Sequence, residues 1–91
     1  MIDAAQVRAA RALLNVSQVD LARLASVHVA TIRRLEAATE IRGAAETLWK
    51  IQIALEAAGI EFIPAEGGKG PGLRLKTVPR QAQKPRAKRK R

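Results

Sequence analysis

Cysteine is absent from this 91-residue chain, so disulfides and thiolate metal sites are excluded and a reducing compartment is the natural setting. Histidine occurs once, as His28. Any zinc site would have to rest on carboxylates, so no metal site is expected. Tyrosine is missing too, and Trp49 and Phe62 are the only aromatic residues. The apolar content is 47%, so an interior is affordable, but it must be built from Ala, Leu, Ile and Val, which suit helix packing. No apolar run approaches the roughly 18 residues of a membrane span. The first ten residues carry Asp3 and no apolar stretch of signal-peptide type. A soluble cytoplasmic protein of one domain, with no membrane contact, is expected.

Acidic residues are unevenly missing. Residues 1–66 hold seven Lys/Arg and eight Asp/Glu, a balance of −1, whereas residues 67–91 hold ten Lys/Arg and no acid. The net charge of +9 therefore belongs to the C-terminal quarter. A case for nucleic-acid binding cannot rest on overall charge and must come from where the arginines of the folded part point.

The local signals predict four helices, then a hairpin. Asp3 with Gln6 forms a capping-box pair ahead of a run rich in Ala, Leu and Arg. Val7, Ala10 and Leu14 share one face, and Asn15 suits the left-handed residue that ends the helix. Ser17 with Asp20 repeats the capping pattern, Val16 serves as a staple, and Leu21, Ala22 and Ala25 form the next apolar stripe. An interruption over 25–28 places Val27 inward. A third helix is expected to reach about residue 37, with Ile32 and Leu35 inward and Arg33 and Arg34 outward. After a loop over 39–43, a fourth helix over about 45–58 carries Leu48, Ile51 and Leu55 and closes at Gly59. Strands are expected at 60–63 and 73–76, joined through the glycine-rich 66–72. The expected division is a helical domain over 1–59, a hairpin over 60–77 that serves as a possible dimerisation element, and a disordered basic tail over 78–91. Six of the last eight residues are basic, which adds phosphate-neutralising charge.

Residues 17–36 carry the functional signal. Two helices crossing at a tight turn need a small residue in the first, and Ala22 supplies it. They need an apolar pin after the turn, which is Val27. Ile32 and Leu35 then bury one side of the second helix and leave the other for the major groove. With Arg11, Ser17, Gln18, Leu21, Thr31, Glu36 and the Leu48/Ile51/Leu55 helix in the same register, the chain resembles the phage-repressor-like (xenobiotic-response-element type) helix-turn-helix family over residues 7–58. The resemblance implies a mainly α, compact four-helix DNA-binding domain and a transcriptional regulator with no cofactor and no catalytic residue. It implies that Arg11 pairs with Glu36, and that Gln18 touches phosphate or braces a base-reading residue.

The chain departs from the family pattern at the turn. Ser26 replaces the usual Gly, His28 replaces the usual Ser or Thr cap, and Val29 and Ala30 stand where polar residues are common. Apolar contact with thymine methyl groups is the mode left to that tip. The DNA-contacting set is therefore expected among Gln18, His28, Val29, Ala30, Thr31, Arg33, Arg34 and Arg42. His28 reads as an N-cap or solvent-facing residue, with phosphate contact as the sharper option. Trp49 reads as core or interface. Residues 67–70 lack the strand-loop-helix frame of a phosphate loop. The expected function is sequence-specific binding of double-stranded DNA by a homodimer on an inverted repeat, with the helix over about 28–37 in the major groove. The alternative is a helix-turn-helix module for a protein partner, as in an antiactivator or antitoxin.

Overall fold

The computed structural model describes residues 2–37 and 45–77. The described elements are helices α1 (Ala4–Leu14), α2 (Gln18–Ala25), α3 (Val29–Ala37) and α4 (Ala45–Ala57), then strands β1 (Ile60–Ile63) and β2 (Gly72–Leu75). A mainly α domain followed by a short antiparallel hairpin is thus the observed architecture. The expected loop over 39–43, with Arg42, and the tail over 78–91 lie outside the described residues.

Local chemistry sets the helix ends. The Gln6 backbone N–H donates to Asp3 Oδ1 at 2.8 Å, and the Asp3 N–H donates to Gln6 Oε1 at 2.9 Å. Ser17 and Asp20 reproduce this exchange at 2.9 and 3.0 Å. Each box satisfies two backbone donors that have no partner inside the helix. The hydrogen bonds from Ser17, its backbone N–H first, hold the Asp20 carboxyl below the usual carboxylate range. Asn15 closes α1 at φ 59° and Ser26 closes α2 at φ 57°, both left-handed.

One core joins all six elements. Val7, Leu21, Ile32, Ile51, Leu55 and Ile60 are its largest fully buried side chains. They fall on the inward positions that helical spacing assigns in α1 to α4, and Ile60 extends the same cluster into β1. Leu14 and Val27 pack against its margin.

The hairpin is a part of this core. β1 and β2 pair with Ile60 opposite Leu75 and Ile63 opposite Gly72. β2 lies along α1 and β1 along α4. Phe62, Leu73 and Leu75 are half-buried against the helical core, and Gln6 Nε2 donates to the Gly72 carbonyl at 2.9 Å. The second strand begins and ends one residue earlier than the alternation of 73–76 suggests. The four residues of β1 fix four partners, so Lys76 falls past the ladder. Its N–H donates to the Gly59 carbonyl at 2.8 Å and its ammonium to the Glu56 carbonyl at 2.8 Å. On the wet face Arg74 meets Glu61 at 3.0 Å, an exposed pair of small energetic weight.

Candidate nucleic-acid interface

The α2–turn–α3 unit is built from three local choices. Ala22, buried where α3 crosses, allows close approach of the two helices. Ser26 turns the chain in the left-handed conformation. Val27 then donates its N–H to the Ala22 carbonyl at 3.0 Å and turns its side chain to the core.

His28 stands at the start of α3 with an exposed side chain. Its Nδ1 accepts the Ala30 backbone N–H at 3.2 Å, and its carbonyl accepts the Thr31 N–H at 2.9 Å. An imidazole thus takes the capping place of a hydroxyl, and Nε2 remains on the outer side of the ring for another partner. Along α3, Ile32, Leu35 and Glu36 are buried, whereas Ala30, Arg33, Arg34 and Ala37 are exposed. Ala30 and Arg34 are four residues apart and share one line along the helix. Thr31 is half-buried. Val29 is half-buried and packs against the core, so it gives only part of its side chain to the outward face.

The inner side of α3 is anchored through Glu36, whose side chain is 4% exposed. Arg11 grips its carboxylate with two bonds, Nε to Oε2 at 2.7 Å and Nη2 to Oε1 at 2.9 Å. The third guanidinium nitrogen, Nη1, donates to the Val16 carbonyl at 3.1 Å. This hydrogen bonding with Glu36, reinforced by its negative charge, raises the Arg11 pKa above its ordinary value despite the cost of burial. Gln18 Nε2 donates to the same Oε1 at 3.1 Å. The arrangement ties α1 and the beginning of α2 to the end of α3. A buried carboxylate is costly unless it is paired and hydrogen-bonded, and here both oxygens are occupied.

Two features of this site escape sequence reasoning. Arg8, one turn before Arg11, donates to the Glu36 carbonyl and so covers the C-terminal end of α3. Its signal was the i, i+3 spacing of two arginines on α1, one of which already pointed at Glu36. Gln18 spends one amide hydrogen on Glu36, which leaves the second for another acceptor. Arg42 lies outside the described residues. Among those residues no group of three or more His, Cys, Asp or Glu is placed to hold a metal ion. No helix there is long and apolar enough to cross a membrane.

A family model described as helix-turn-helix matches residues 7–58, more than half of the chain. The matched segment runs through all four helices and stops before the hairpin. No curated protein matches the chain.

Proposed function

Because the chain belongs to the helix-turn-helix family of phage-repressor-like DNA-binding regulators, we propose that it is a sequence-specific transcriptional regulator that lays α3 in the major groove of an operator. The observation that carries the reading is the two-sided character of α3. Its inner side is fastened by Ile32, Leu35 and the Glu36 network, and its outer side offers Ala30, Arg33 and Arg34. A helix held rigidly on one side and exposing a short methyl and long guanidinium groups on the other has the form of a groove reader.

Each outer residue has a distinct task. Arg34 presents a fork of donors that matches O6 and N7 of guanine. Ala30, one turn nearer the helix start, lays its methyl group against a thymine methyl. Arg33, His28 through Nε2, Thr31, the exposed part of Val29 and the second amide hydrogen of Gln18 supply the remaining contacts, chiefly to phosphate. Phosphate contacts set the register and base contacts set the preference. One such helix reads only a few base pairs, so two copies on an inverted repeat are required for selectivity. Transcriptional control of this kind needs no catalytic residue and no cofactor, and it places the protein in the compartment that holds the DNA.

The test is Arg34→Ala on a preferred duplex and on single-base variants of it. The expected loss is about 1–3 kcal/mol on the preferred duplex, with relaxed preference at one position. Equal weakening on every duplex would reduce Arg34 to a phosphate contact.

A further inference from the structure

We propose that the face formed by Leu24 and Ser26 at the end of α2 and by Trp49, Ile53 and Ala57 on α4 is where a second copy of this chain docks, two-fold and self-complementary. The inference deepens the operator reading, which requires two copies but does not say how they meet.

The first support is exposure. Trp49 is 59% exposed, Leu24 54% and Ile53 44%, and they lie together around one groove of about 470 Å³. None of the other apolar residues exposed to this degree lines that groove: Leu13 and Val19 stand elsewhere. The hairpin is the other surface that the sequence offers for dimerisation. Phe62, Leu73 and Leu75, however, are half-buried against the core of their own chain, so the hairpin offers less exposed apolar surface than Trp49, Leu24 and Ile53 do. Among the described residues, nothing covers Trp49, Leu24 or Ile53 on the α2–α4 face to that degree.

The second support is shape. An isologous interface must be complementary to itself, so one patch has to carry both the projection and the recess. Here Trp49, more than half exposed, lines the same groove as the small side chains of Ala25, which is buried, and Ala54, which is half-buried. Two copies related by a two-fold axis can each seat an indole in the other's groove.

Area and charge agree with that occupant. With roughly 150–250 Å² for a whole large side chain, the exposed parts of Trp49, Leu24 and Ile53 come to on the order of 300 Å² per chain. Doubling this, and adding the Lys50 stem, Ala57 and Ser26 as a rim, brings the total toward the roughly 1,000 Å² of a lasting interface. Lys50 is the charged residue that lines the groove, and its ammonium lies 3.9 Å from Glu46 of the same helix, so that charge is offset within each copy. The position also suits two-fold reading. Ala30, Arg33 and Arg34 line no part of this groove. Ser26, which does, leads directly into α3, so the docking brings the starts of two recognition helices near one axis while leaving their outer sides open.

The experiment uses the full chain without DNA. Trp49 is the only tryptophan, so its emission reports on this face alone. Sedimentation is run beside emission over a dilution series for the wild type, Leu24→Lys and Ile53→Lys. Both variants place a helix-forming, exposed residue in the helix, and circular dichroism checks their folding. The expected result is a wild-type dimer whose Trp49 emission shifts to shorter wavelength as it associates, with association weakened at least tenfold in each folded variant. A wild-type monomer at tens of micromolar overturns the proposal. So does a dimer whose emission does not move, or one that persists in both variants. Purification of the wild type as a stoichiometric complex with a different protein on this face also overturns it. Duplex selection, run separately, decides the operator reading. A dimer that fails to select DNA leaves the surface standing and removes that reading, and selection with dimers intact in both variants does the reverse.

Discussion

At the residue scale, Glu36 is the pivotal side chain. It is buried, it is charged, and its two oxygens receive donors from α1 and α2. Arg11 supplies two of the three side-chain donors, and the only positive charge among them, that offset its desolvation. Arg11→Met strands the carboxylate and is expected to destabilise the fold by about 3 kcal/mol. Combining it with Glu36→Leu removes the stranded charge, so the double variant should lie closer to the wild type than the sum of the single losses. Urea denaturation of the four-member cycle measures this coupling, and additive losses would mean that the two side chains do not act as a pair. That Arg11 and Glu36 stand near each other was suggested by a resemblance, because nothing in a linear pattern joins residues 25 positions apart. The Gln18 bond to the same residue was not legible, since it depends on how the helices cross, and the Arg8 bond left only the i, i+3 spacing of two arginines as its trace.

At the element scale, helix boundaries were the most legible feature because their determinants are local. Asp3 with Gln6 and Ser17 with Asp20 carry their own geometry within four residues. The Asp20 carboxyl is held below its ordinary range, so the folded state favours its ionised form. That contribution is present above the ordinary aspartate value of about 4 and is lost as pH falls through the lower folded value. Asp20→Asn cannot ionise. The wild type should therefore be the more stable of the two at neutral pH, and the gap should close below about pH 4, as thermal denaturation across that range would show. Ser26 bears the cost of a side chain in a left-handed backbone. Ser26→Gly relieves roughly 1 kcal/mol of it and should raise the melting temperature slightly, provided the turn keeps its shape. The second strand was legible as an element but not in its limits. Alternation alone spans 73–76, and only pairing with Ile60–Ile63 selects Gly72–Leu75. Trp49, read from the sequence as core or interface, is not in the core: it sits one position beyond the Leu48/Ile51/Leu55 stripe, about 100° round the helix, and is exposed.

At the scale of the whole molecule, charge is unevenly divided along the chain. The near-neutral helical domain positions a few arginines, and the residues after 66 carry the excess of positive charge. Seven of the basic residues fall within 78–91. Removing that segment should flatten the dependence of DNA affinity on salt, because fewer counterions are released on binding. Titrations of the shortened and full chains at several salt concentrations measure the difference, and equal slopes would mean that the segment does not meet phosphate. In the proposed function, α3 is presented twice by a two-fold pair and reads DNA sequence. Selection of bound duplexes from a random pool by the full chain tests it most directly. The expected result is enrichment of an inverted repeat whose half-sites are centred about 10 bp apart, or a multiple of that. Recovery of duplexes with no shared sequence would contradict it.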